Sequence, residues 1–177
     1  LLATGGDDKV VRLFDTSDDD RPVPAAPPIT GFPSITHAVA FSPDSRTLAV
    51  TGDSPNAQLW NVATPSRPTP VTTSLPNTTA GSWSITFDDD GDQLASARAD
   101  GRVTVWNTID PAMPVTQWTL QSASMQGTPE QGSVRTFSSI FSPDGSSMVV
   151  GRYDGAIDLW HLPTGVIPDR GGTVTGL

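Results

Sequence analysis

Large aromatic residues return at a fixed interval along this chain, and few folds accept such a pattern. Phe14, Trp60 and Trp106 stand 46 residues apart, and Trp160 follows 54 residues after Trp106. Each closes a short run with alternating faces: VVRLF, NAQLW, RVTVW and AIDLW. Such alternation marks β-strands. Twelve residues before each aromatic stands Leu2, Leu48, Leu94 or Met148, and eight residues after it stands Pro22, Pro68, Pro114 or Pro168. Positions that keep register through four units identify an internal repeat rather than chance likeness.

A second motif fits the same frame. FSPDS at 41–45, FDDDG at 87–91 and FSPDG at 141–145 each place a phenylalanine 19 residues before the tryptophan of its unit. Phe41, Phe87 and Phe141 end the apolar runs HAVAF, WSITF and FSSIF. The letters that follow are β-turn chemistry: Pro presets φ, and Asp then Gly accept a tight return. A full unit therefore reads as strand a ending in Phe, a turn, strand b, a short turn, strand c carrying Trp, and a weaker strand d. Composition agrees. Only Glu130 among nineteen acidic residues is glutamate, and Gly and Pro are abundant, at 16 and 17 residues. Asp bonds nearby backbone N–H groups in turns, whereas Glu favours helices, so the chain reads as turn-rich and helix-poor.

Repeated four-stranded units of about 40–45 residues describe blades of a β-propeller. The segments LASARADGRVTVWN at 94–107 and MVVGRYDGAIDLWH at 148–161, with the FSPDG turn, resemble the WD-repeat (tryptophan–aspartate) propellers over essentially the whole chain. The Asp-Gly before strand c recurs as Asp100-Gly101 and Asp154-Gly155, with Asp8-Lys9 in the first unit. The Pro-spaced linkers at 63–68 and 109–114 resemble those of large bacterial multidomain proteins. The expected fold is all-β: a propeller segment of antiparallel blades, with strands b–d of one blade at 1–30 and full blades at 31–76, 77–130 and 131–177. That count gives an incomplete ring, and the chain alone is expected to self-associate, which light scattering checks.

The chain departs from the family at two places. The tryptophans precede Asn61, Asn107 and His161 rather than Asp, and the Gly-His pair is replaced by Gly31-Phe32, Asn77-Thr78 and Gln131-Gly132. The resemblance implies a buried relay of that His, a strand-b Ser/Thr, the turn Asp and the Trp. Without its His, only part of it is expected, through Ser96, Asp100 and Trp106, or Thr4 with Asp8.

Chemistry-bearing motifs are scarce. His37 and His161 are the only histidines, and neither has a metal-ligand companion at usual spacing. No nucleophile elbow is present. TGGDDK lacks the Gly-Lys-Ser/Thr ending of a phosphate loop, and the Asp-rich stretches at 6–8 and 88–92 fall where blade turns need Asp. The chain has no cysteine and a net charge of −9, which disfavours thiolate metal sites and nucleic-acid backbones. A reducing, cytoplasmic location fits, no stretch is apolar enough to span a bilayer and no signal peptide is visible. No enzyme activity and no cofactor, metal, nucleic-acid or membrane partner is expected.

A binding surface is the remaining expectation. In the family resembled, the b–c turns and d–a loops gather on one face, and protein partners dock there. Carried over residue by residue, that face holds Asp53, Arg98, Arg102, Arg152 and Tyr153, with Asp7 and Asn56 beside them. Trp83 and Phe137 stand four residues before their Phe and read equally as partner contacts or as inter-blade packing; His37 holds the same place, and for it inter-blade packing is the leading reading. The extra eight residues of the last unit fall in a d–a loop at 121–132, which reads equally as functional or as disordered; Met125 is its adaptable contact in the first reading. The function expected is a non-catalytic protein-interaction scaffold or sensor module of a larger protein. The alternative is a regulatory propeller fused to a kinase, protease or ATPase.

Overall fold

A computed structural model describes residues 1–18, 20–72, 74–75, 80–122, 135–162 and 169–174. The described residues form fifteen strands and no helix. The first sheet orders β1 (Leu2–Thr4), β2 (Arg12–Asp15) and β3 (Val23–Pro24). The second orders β4 (Thr36–Phe41), β5 (Thr47–Gly52), β6 (Gln58–Asn61) and β7 (Thr69–Thr72). The third holds β8 (Ser82–Phe87), β9 (Gln93–Arg98), β10 (Arg102–Asn107) and β11 (Val115–Gln121). The fourth holds β12 (Thr136–Phe141), β13 (Ser147–Arg152), β14 (Ile157–His161) and β15 (Asp169–Val174). Every pairing is antiparallel and between chain neighbours, so each sheet is a meander. Strands a of the full sheets, β4, β8 and β12, lie side by side in order. These are blades packed face to face, as the repeat predicts.

The FSPDG hairpins show why the motif repeats. Thr47 N donates to Ser42 Oγ (2.9 Å), Ser42 Oγ donates to Asp44 Oδ1 (2.6 Å), and Arg46 N donates to the same oxygen (3.0 Å). Ser142, Asp144, Ser146 and Ser147 repeat the pattern in the last blade. Gly91 and Gly145 take φ of 78° and 66° at the return, and Ser45 takes 59° in their place. In the variant FDDDG, Asp88 replaces the serine and accepts the Gln93 N–H directly at 3.0 Å. The acidic stretch at 88–92 thus closes a hairpin.

These turns link folding to pH. The Ser142 hydroxyl, followed by the Ser146 hydroxyl and backbone N–H, lowers the Asp144 pKa from 3.8 to about 2. Ser42 and the Arg46 N–H lower that of Asp44. A carboxyl depressed in the folded state contributes stability above its unfolded pKa and loses it as pH falls through the folded one. We expect the thermal midpoint, followed by circular dichroism, to drop progressively from about pH 4 to about pH 2. Asp44→Asn with Asp144→Asn should flatten that slope.

Three hydrophobic clusters fill the spaces between neighbouring blades. Val11, Leu13 and Ile29 meet Phe32, Leu48, Val50 and Val62 between the first and second. Ala49, Ala57, Leu59 and Leu75 meet Ile85, Leu94 and Trp106 between the second and third. Ala95, Ala97, Val103, Val105 and Leu120 meet Phe141, Met148, Val150, Trp160 and Leu162 between the third and fourth. Strand alternation explains the division: Leu48 and Val50 face one neighbouring blade, and Ala49 between them faces the other. On the fourth blade, Ile140, Val149 and Leu159 form the corresponding row across the far face and are exposed.

Candidate functional site

One irregularity recurs in all three four-stranded blades. Thr36 opposes Gly52 and Ala38 opposes Thr51, so His37 is an extra residue in β4. Trp83 is the extra residue between Ser82 and Ser84, and Phe137 between Thr136 and Ser138. A β-bulge at one place in successive strands re-aims one side chain per blade. The three rings meet. His37 stacks on Trp83 with centroids 4.1 Å apart and planes 24° from parallel. Trp83 meets Phe137 at 5.5 Å, and Phe137 meets Tyr153 at 5.4 Å, with tilts of 55° and 42°. Such tilted pairs suit the ring quadrupoles. Tyr153 comes from the β13–β14 turn, where its N–H donates to the Arg135 carbonyl at 2.9 Å, and its residue surface is 74% exposed. At the other end, His37 Nε2 and Asp53 Oδ1 share a hydrogen bond of 2.6 Å, and the Asp53 side chain is 54% exposed.

Trp83, Phe137, Tyr153 and Asp53 thus come together on one face, and His37 joins them. The sequence signal for His37 was its shared place four residues before Phe, outweighed by the usual packing role of an isolated histidine.

Arg98 and Arg152 are not presented on that face, contrary to the expectation from sequence. Both side chains are only 2% exposed. Arg98 Nη2 donates to Asp100 Oδ2 at 2.6 Å, and its Nη1 to Thr104 Oγ1 at 3.2 Å. Arg152 bonds Asp154 and lies 3.5 Å from the fully buried Asp158. In each case the carboxylate of the turn also caps a backbone N–H, of Arg102 or of Ala156. Desolvation pushes the Arg98 pKa down, and Asp100 opposes that shift. The guanidinium therefore folds inward to lock the b–c turn, because the turn's own acid supplies its counter-charge. Arg152→Ala is accordingly a test of folding and a poor probe of binding.

The other blades fill this locus differently. The first places Gly6 where Arg98 stands, and Arg12 reaches back to Asp8 at 2.7 Å, lowering that carboxyl's pKa. The second has Gly52, whose added Cβ would lie 1.8 Å from the Ile35 carbonyl oxygen, and Gln58 accepts the Trp60 indole N–H at 3.2 Å. Phe32, standing in for the family's His, packs on Trp60 at 5.9 Å. Of the expected partial relay, Ser96 stands apart: its hydroxyl is buried without a hydrogen-bond partner among the described residues, while Asp100 accepts from Arg98.

Arg102 is half exposed, and its Nε donates to Gln121 Oε1 at 2.9 Å. Met125 lies outside the described residues. A half-open hollow lined by Phe32, Ile35, Val50 and Asn56 has a cavity volume of about 10 Å³, room for about one water and far below the range of small-molecule sites. Among the described residues no three His, Asp or Glu side chains gather as a metal site would require, and no helix is long and apolar enough to cross a membrane.

Residues 69–107 and 121–161 match the family model of the WD domain, G-beta repeat. Each matched segment takes in strands a to c of one blade, and the first begins with strand d of the blade before it. A search of curated proteins returned no match. The two matched repeats, with one three-stranded and three four-stranded antiparallel meanders in succession, support a WD-repeat β-propeller family for this chain.

Proposed function

We propose that this chain is a non-catalytic scaffold or sensor module that holds a protein partner against the row His37, Trp83, Phe137 and Tyr153. WD repeats generally mediate protein–protein interaction. The observation that carries the reading is the continuity of the ring row across three blades, ending in the exposed Tyr153. Aromatic side chains bury much area at small entropy cost and dominate interface hot spots. His37, Trp83 and Phe137 project from strands paired within their blades, which pre-organises the surface. Asp53 and Arg102 form a polar rim.

The test is capture of a partner on the immobilised chain, followed by titration. Phe137→Ala with Tyr153→Ala should weaken binding by about thirty-fold, the scale of one hot spot. Asp18→Asn with Asp20→Asn lies in the β2–β3 connection at the opposite end of the strands and should leave binding unchanged. Equal affinity for all three proteins would remove the row from the interface.

A further inference from the structure

We propose that the partner segment seated on this row carries arginine, with a guanidinium on the Trp83 and Phe137 rings and Asp53 as its counter-charge. The proposal rests on the row being the docking surface and names the chemistry it selects. Three observations lead to it.

First, the rings are tilted rather than flush. Angles of 55° between Trp83 and Phe137 and 42° between Phe137 and Tyr153 keep the rings from stacking flush, and Phe137 and Tyr153 are 37% and 74% exposed, so ring surface stays open to a ligand. Ring faces carry negative potential and attract cations, and a planar guanidinium also stacks. Second, the row ends on a carboxylate. Asp53 gives one oxygen to His37, while its side chain remains half exposed beside the stacked His37–Trp83 pair. Third, the two arginines that sequence placed on this face are folded inward, each bonded to its own turn carboxylate. Arg102 and Arg135 stay exposed at the edge of the row, Arg102 with its Nε on Gln121 and its Nη1 3.7 Å from Asp100. The surface thus lacks the Arg98 and Arg152 cations that would have repelled a basic segment. A net charge of −9 over the whole chain adds long-range attraction for the same class of partner.

Neutral proline-rich segments also favour aromatic surfaces, but they draw nothing from Asp53 or from the net charge. Charge complementarity decides for arginine.

The experiment uses the 177-residue chain and a fluorescein-labelled Gly-Ser-Arg-Gly-Arg-Ser-Gly peptide, followed by anisotropy. A copy with citrulline for arginine keeps the planar shape and loses the charge. The arginine peptide should bind about ten-fold tighter than the citrulline copy, within the range of a partly desolvated cation–π contact. Phe137→Ala and Asp53→Asn should each weaken it by roughly five-fold, with circular dichroism unchanged. Asp18→Asn with Asp20→Asn should not weaken it, which separates a local seat from bulk acidity. Equal binding of the citrulline copy, equal binding by the ring variants, or an equal loss in the remote acidic variant would each overturn the proposal. If the captured partner still depends on Phe137 and Tyr153 while the arginine peptide does not, the docking surface stands and the arginine chemistry falls.

Discussion

Asp100→Ala should destabilise the chain more than Arg98→Met, by about 3–5 kcal/mol against about 1–2 kcal/mol. The two residues form one ion pair, yet they are not equivalent. The Arg98 side chain is 2% exposed and that of Asp100 is 28% exposed. Removing the aspartate strips a buried guanidinium of its close carboxylate and also frees the Arg102 N–H that Asp100 Oδ1 accepts. Removing the arginine leaves a carboxylate that reaches water and has Arg102 Nη1 at 3.7 Å, while methionine keeps apolar packing in the gap. The double variant should recover part of the loss, because the buried charge is then gone as well. Urea unfolding of the four proteins checks this. Equal losses, or strict additivity, would show that the pair is solvated in practice.

Trp106→Ala carries the other large effect, about 3–5 kcal/mol. The indole is fully buried and packs with Ala49, Leu59, Leu75, Ile85 and Leu94, so its removal opens a void between the second and third blades. For a domain of this size, the melting midpoint should fall by roughly 10 °C or more. Trp60→Ala removes the same atoms from a partly exposed ring, which solvent and Phe32 can partly accommodate. Its loss should be clearly smaller. Equal midpoints for the two variants would mean that the blade interfaces do not differ in the way their burial implies.

The blade architecture was legible because its determinants are local and repeated. A large aromatic residue every 46 or 54 residues sets strand c, and the Phe-Ser-Pro-Asp-Gly letters set the hairpin before it, whether Ser142 or Asp88 caps the turn. The fate of Arg98 and Arg152 was harder to read. Arginine is ordinarily exposed, and burial becomes tolerable only with a close counter-charge. The sequence does hold that counter-charge two residues on, at Asp100 and Asp154, but spacing alone does not say that the guanidinium folds back to it. The bulges were legible still less. An extra residue inside a strand needs no turn letter, and Ser-Trp-Ser or Thr-Phe-Ser alternates like any other strand. Only the pairing of Thr136 with Arg152 and Ser138 with Gly151 exposes the offset.

That offset separates two kinds of information along the same strand. The other residues of β4 and β8 alternate between two blade interfaces, where a change of size is felt, and those of β12 alternate between one interface and the exposed far face. The extra residue belongs to neither face. Histidine, tryptophan and phenylalanine, which differ greatly in size and polarity, occupy it in three consecutive blades, while the residues just before it stay small, hydroxylated and buried. Those three positions can therefore be rewritten while the blades keep their pairing, so in the proposed docking row a new specificity would need substitution alone and no new loop.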